Sequence, residues 1–160
     1  MGLKSEFTSN KRDFFIIDKK KLAELKIKAL KNISNKFRIC IHKSNKDLVH
    51  EMIVVHTKNT SVPPHMHQKK SESLFVIQGQ ADLVVFNKLG KVKKILKLGP
   101  VNSGKIFYYK IPKKTFHTFI FKSNFFIFKE TTKGPFVRKQ MIVPKWSLRY
   151  KKEILKFKKL

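Results

Sequence analysis

The residues best suited to chemistry are His65, His67 and Glu72, close together in the stretch 63–79. In a β-strand alternate side chains share a face, so an H-x-H spacing offers two imidazoles to one metal ion. Residues 68–71 suit a tight turn, after which Glu72 would open the next strand beside the histidines and add an oxygen ligand, with Gly79 ending that strand. The stretch therefore reads as a metal-binding hairpin. A fourth ligand must come from elsewhere, and His117, just after a turn, is the best-placed candidate. A lone histidine is more often a hydrogen-bonded structural residue than a ligand, but this combination of imidazoles and a carboxylate favours metal.

Three neutral imidazoles and one carboxylate suit one divalent ion: Fe, Mn, Zn, Ni or Co. Open coordination positions would admit water, dioxygen or a chelating substrate. The site would thus fit a metal-dependent isomerase or hydrolase working through Lewis acidity, or a dioxygenase. Arg38 is the expected anion contact, because one guanidinium grips a carboxylate or phosphate with two parallel bonds. Lys70, in the turn, is positioned to steer an anionic ligand, and with Lys69 makes the turn a positive rim. His42 and His56 are candidate acid–base or ligand contacts, with His42 favoured because Arg38 shares its strand face. His50 is expected in a turn.

The elements that must position these groups are mostly short strands. Residues 1–13 read as a loose lead-in and residues 14–17 as a short strand. Asp18 is the expected N-cap of a helix over 19–33, with Leu22, Leu25, Ala29, Leu30 and Ile33 near one face and Ile17 and Leu22 at the staple positions. Strand-like runs follow at 38–42, 51–57, 81–86, 91–98, 106–111, 116–121 and 125–130. Their spacing of about ten residues indicates an antiparallel sandwich or barrel. Phe75, Phe86, Phe119 and Phe121 are expected in its core or lining. Beyond Gly134 and Pro135 the chain turns irregular, with Trp146 anchoring the tail and residues 150–160 as a short basic helix.

Composition sets outer bounds. The chain of 160 residues is sufficient for one well-packed domain. The expected division is a lead-in and helix over 1–34 packed on the barrel, a barrel over 35–134 and a tail over 135–160. The net charge of +27 invites a nucleic-acid reading. However, only Arg12, Arg38, Arg138 and Arg149 among the 37 basic residues are arginine, and the lysines are scattered, so nucleic acid is not the expected partner. Cys40 is the only cysteine, which fits a reducing compartment. No run reaches the ~18–20 apolar residues of a membrane span, and the expected location is the cytoplasm.

His65, His67, Glu72 and Gly79 together resemble the first motif of the cupin superfamily, and Pro112 with His117 resembles the second, with Lys114 standing where that motif usually has glycine. The resemblance implies a mainly β, double-stranded β-helix jelly-roll barrel with His65, His67, Glu72 and His117 holding one divalent ion at its mouth. A closer likeness, over most of the chain, is to WbuC-type cupin-fold metalloproteins. It rests on the leading helix, Arg38, Cys40 and His42, Glu51 and Met52, the His65–Glu72 segment, Phe86, His117, Glu130, Gly134 and Trp146. That likeness implies a setting in O-antigen or lipopolysaccharide biosynthesis, a small anionic or sugar-like ligand, and a homodimer. Two alternatives stand beside it: a metal-free sugar-nucleotide isomerase or epimerase, and a non-enzymatic ligand-sensing cupin.

Overall fold

The structure, a computed structural model, describes residues 6–7 and 14–150. The elements run β1 (Glu6–Phe7), α1 (Lys19–Lys31), β2 (Lys36–Cys40), β3 (Val49–Thr57), β4 (Met66–His67), β5 (Glu72–Gln78), β6 (Ala81–Phe86), β7 (Val92–Leu98), β8 (Tyr108–Ile111), β9 (Phe116–Phe121), β10 (Phe125–Lys133) and β11 (Met141–Ile142). A six-stranded sheet, β1-β2-β3-β10-β5-β8, opposes a three-stranded sheet, β7-β6-β9, and β4 pairs with β11 in a small third sheet. This is the jelly-roll expected, with a helix on its outside.

The middle strands β3, β10, β6 and β9 are covered on both faces, which explains why they are apolar over long runs instead of alternating, whereas the outer faces of β5, β7 and β8 are exposed. Between the sheets lies the barrel core, where Met52, Val54, Leu74, Val76, Leu83, Phe119, Phe121, Phe126 and Phe128 pack together. On the outer face of the large sheet, Leu25 and Ala29 of α1 close over Phe37, Ile39, Ile53, Val55 and Ile127. On the outer face of the small sheet, Val84, Phe86, Ile120 and Tyr150 form a third cluster against Phe116 and Trp146. Trp146 anchors this segment as expected, its ring tilted against Phe86 at 5.2 Å and its indole N–H donating to the Lys88 carbonyl at 3.0 Å.

The helix starts where Asp18 accepts a hydrogen bond from the Lys21 N–H at 2.7 Å, a cap that contributes about 1 kcal/mol. Ile17 and Leu22 both pack against the outer cluster. Gly79 ends β5 at φ +82°, and a Cβ there would lie 1.9 Å from the Phe125 carbonyl oxygen, so no other residue fits the close approach of β5 to β10.

Several expectations need correction. Residues 14–17 form no strand; Phe15 and Ile17 pack as irregular chain against the α1 cluster. Within the expected lead-in, β1 pairs in parallel with β2. Leu30 and Ile33 are exposed, because the helix ends at Lys31 and its buried stripe is narrowed to Leu25 and Ala29. Phe75 points away from the barrel interior, half-exposed against Phe107. His50 lies within β3, not in a turn, and is buried. The stretch 63–79 is not a two-stranded hairpin: β4 pairs with β11, whereas β5 pairs with β10 and β8. Of the C-terminal helix expected over 150–160, all but Tyr150 lies outside the described residues.

Candidate metal centre

Two remote segments meet at one barrel end through a reciprocal pair of backbone bonds. The His65 N–H donates to the His117 carbonyl at 3.0 Å and the His117 N–H donates to the His65 carbonyl at 2.9 Å. The pair holds the two imidazoles 4.5 Å apart, centre to centre. His67, next on β4, is clamped from two sides, by β11 through its pairing with Met141 and by the Lys114 N–H, which donates to the His67 carbonyl at 2.7 Å. Lys114 takes φ +62°, the left-handed conformation usually left to glycine, and this bond offsets the strain of adopting it. Glu72 enters as the first residue of β5, directly opposite Thr132 and Ile111 on its neighbours.

The ligand atoms of His65, Glu72 and His117 all lie within 4.8 Å of one another. His67 reaches the same carboxylate from the other side: its Nε2 is 2.9 Å from Glu72 Oε1, while its ring centre is 6.5 Å from that of His117. Lys70 Nζ adds a positive charge 3.5 Å from the same oxygen. Burial raises the Glu72 carboxyl, but the His67 hydrogen bond and the charges of His67, His117 and Lys70 outweigh it and hold the carboxyl below the usual range. The His65 imidazole is pushed down to about 4, first by burial and then by the His117 charge. His117 is lowered too, chiefly by burial. Both rings are therefore neutral near pH 7, the state a metal requires.

The donor set fits a cation. The Nδ1 of His65 lies 2.9 Å from the Pro63 carbonyl and that of His117 lies 3.0 Å from the Thr115 carbonyl. A carbonyl only accepts, so each Nδ1 carries the hydrogen and each neutral ring turns a bare Nε2 lone pair inward. For His117 that lone pair faces Glu72 Oε2 at 3.7 Å. Two facing lone pairs repel unless a proton or a cation sits between them. The His–Glu–His cluster could thus hold a divalent ion, with His67 hydrogen-bonded to the same carboxylate.

The other singled-out residues are not all at this centre. His42 is buried, its Nδ1 within 3.0 Å of the Glu51 carbonyl, and its ring stacks on His50 at 4.1 Å. His50 shares the cross-strand row of Glu72 with Thr132 between them, placing it about 9–10 Å from Glu72 along the sheet. His42 stands one strand farther. His56 lies on the inner face of β3 six residues beyond His50, about 20 Å along the strand. There it is buried between Phe121 at 4.6 Å and Phe128 at 5.7 Å, its Nδ1 without a hydrogen-bond partner. Burial, with the nearby Lys36 charge, drops it to about 3. Arg38 is exposed at the barrel edge on the face of Cys40, close enough to Glu130 to favour its charged form.

Glu130 carried no expected role. It sits directly opposite Leu74 and Met52, one inward position below the Glu72 row. Burial and the Glu72 charge push its carboxyl up, against the pull of Lys70 and Arg38. The signal was present: from Phe126, every second residue of β10 (Phe128, Glu130, Thr132) faces the barrel interior.

A family model described as "Domain of unknown function (DUF6016)" matches residues 17–98, just over half of the chain. No curated protein matches the sequence. Among solved structures, a Shewanella oneidensis protein is similar with a TM-score of 0.54 at 10% identity, over 72% of this chain and 75% of that one. The capsular polysaccharide assembling protein CapF of Staphylococcus aureus is similar with a TM-score of 0.52 at 13% identity, over 67% of this chain and 29% of its own. The oxalate decarboxylase of Lactobacillus farciminis, in its formate complex, gives a TM-score of 0.48 at 21% identity over 61% of this chain. The chain spans 27% of the length of that decarboxylase. The first two, with TM-scores above 0.5, are cupin-fold proteins, and the fold of this chain is the cupin fold. No described helix is long and apolar enough to cross a membrane.

Proposed function

We propose that this chain, which belongs to the DUF6016 family, is a cupin metalloprotein holding one divalent ion on His65, His67, Glu72 and His117. A small anionic or sugar-like ligand binds beside the ion, in the service of surface-polysaccharide biosynthesis. The observation that carries the reading is the convergence of His65, Glu72 and His117 within 4.8 Å, with bare imidazole lone pairs turned on a carboxylate. The polysaccharide setting is supported by the ordered set of residues shared with WbuC-type proteins and by the fold likeness to a capsular polysaccharide assembling protein.

A bound cation would supply Lewis acidity toward a ligand oxygen, the chemistry common to isomerases and hydrolases, or a dioxygen site if redox-active. The remaining work falls to the chain. Glu72 balances charge, the Pro63 and Thr115 carbonyls orient the imidazoles, and Lys70, with its Nζ over Phe136 at 5.6 Å, guides an anionic group to the mouth. The exposed edge strand β8, flanked by half-exposed Phe107, is the surface through which a homodimer would form.

Metal analysis of protein purified without added ions tests the reading. Near-stoichiometric Fe, Mn, Zn, Ni or Co is expected, lost in the His65→Ala, His67→Ala double variant; full metal content in that variant refutes it. One observation favours a second reading, a metal-free sugar-nucleotide isomerase or epimerase: the 2.9 Å His67–Glu72 contact is a satisfied hydrogen bond without any ion. Absence of metal together with turnover of a nucleotide sugar would establish that alternative.

A further inference from the structure

At the edge of the small sheet a groove of about 800 Å³ opens to the surface, with Ile95, Lys97, Lys105, Ile106, Phe107 and Tyr108 among its lining residues. None of them belongs to the metal centre. β7 is the last strand of that sheet, so one of its sides has no strand beside it. Among the described residues only Ile106 bridges to that side, where its N–H donates to the Lys97 carbonyl at 3.1 Å and its carbonyl accepts from the Gly99 N–H at 3.1 Å. In an antiparallel strand the N–H and C=O of one residue point the same way, and the direction alternates along the chain. Since the Lys97 carbonyl faces outward, the Lys97 N–H and both backbone groups of Ile95 face outward too. Among the described residues no backbone group pairs with these three. They are an open strand edge, a template for another strand.

The side chains around this edge are of two kinds. Ile95 is 51% exposed, Tyr108 55%, Phe107 41% and Ile106 37%, a contiguous apolar lining of the sort that marks an interaction site. The rest are cationic. β7 carries Lys93, Lys94 and Lys97, Lys105 lines the groove as well, and among the described residues none of the four has a carboxylate within ion-pair distance. Asp82, directly opposite Lys97, pairs with Lys122 at 3.8 Å instead. Lysines on an edge deter edge-to-edge pairing, which accounts for the charge and leaves the exposed apolar lining unexplained. A second copy would set the lysines of β7 against the same lysines, and like charges across a strand pair repel. An acidic strand meets the opposite situation.

We infer that the β7 edge is a docking groove for an extended acidic segment of another protein, one in which acidic and apolar residues alternate. The segment adds to the small sheet as a further strand, pairing with the free groups of Ile95 and Lys97. Successive side chains of a strand point to opposite faces, so its apolar residues cover Ile106 and Phe107 while its acidic residues meet Lys97 and Lys105. The main chain supplies affinity and the lysines select the sign of the partner. This groove stands independently of the metal reading, because it uses no residue of the centre.

Fluorescence anisotropy of a fluorescein-labelled peptide, Gly-Glu-Val-Glu-Val-Glu-Val-Gly, titrated with the full chain at low ionic strength tests it. The parent is expected to bind, and a fully N-methylated peptide of the same sequence, which keeps the charge and loses the strand donors, should bind at least about tenfold more weakly. The double variant Lys97→Gln, Lys105→Gln should weaken the unmodified peptide about tenfold, whereas Lys19→Gln, Lys20→Gln, which removes the same charge from the exposed start of α1, should stay within about twofold. Both double variants should melt within about 2 °C of the parent, since surface substitutions of this kind cost little. No binding by the parent, full binding of the N-methylated peptide, or equal losses in the two lysine variants would overturn the groove. So would tighter binding of an oligothymidylate of equal charge, which would assign the edge to nucleic acid, or a dimer that Ile95→Asp dissociates, which would assign it to a second copy.

Discussion

At the end of the barrel that holds Glu72, His65, His67 and His117 gather around a carboxylate. About 20 Å away along β3, His56 lies between two phenyl rings with one nitrogen unpaired. Burial depresses His56 and also His65 and His117. What separates the two ends is the company the rings keep. At the mouth the Nδ1 atoms of His65 and His117 are each tied to a backbone carbonyl, which leaves their Nε2 lone pairs free to meet a cation beside Glu72. At the far end the ring is used as a flat, slightly polar aromatic, completed by packing alone. Depression of a histidine is thus no mark of function; directed lone pairs are.

The largest effect that would break this contrast is on metal affinity. His117→Ala should weaken divalent-ion binding at least a hundredfold, measured by competition with a chromogenic chelator, whereas His56→Leu should leave it within twofold. Equal losses in both variants would mean that His56 supports the centre through the fold.

The next effect is acid stability. A histidine held neutral by the fold binds its proton more weakly in the native state than in the unfolded chain. Stability is then fully present above about pH 6.5 and falls as the pH drops toward the native value. For His56, depressed to about 3, the loss between pH 6.5 and 3 amounts to as much as ~5 kcal/mol. Urea unfolding of metal-free protein across that range should show the fall, and His56→Leu should flatten the part that belongs to the far end. A variant as acid-labile as the parent would show that the mouth alone governs it.

The smallest effect sharpens the mouth side. Lys114 accepts a left-handed backbone so that its N–H can clamp the His67 carbonyl. Lys114→Gly should relieve the strain and raise stability by about 0.5–1 kcal/mol, read as a higher urea midpoint, with metal affinity unchanged.

Much of the centre was legible from local pattern. The H-x-H spacing, the turn before Glu72 and the histidine after Pro112 are short-range features, and so is the Asp18 cap on α1. Strands β6, β7, β9 and β10 begin within a residue of where the runs suggested, because turn residues and a change of hydrophobic period are encoded locally. The early segment was less legible: the apolar residues 14–17 resemble a strand, yet they run as irregular chain in which only Phe15 and Ile17 pack against the α1 cluster, an outcome set by a partner surface remote in sequence.

The sequence by itself determined the donor types and the strand list, since both follow from residue chemistry and periodicities of a few residues. Only the tertiary structure decided which donors meet. The His65–His117 bridge joins segments about fifty residues apart, β4 pairs with β11 and not with β5, and the cross-strand register sets Glu130 and Tyr109 on either side of Leu74 under the centre. The same register carries His56 to the opposite end. Register depends on the alignment of whole strands, and one residue of slip would turn every one of these side chains to the other face.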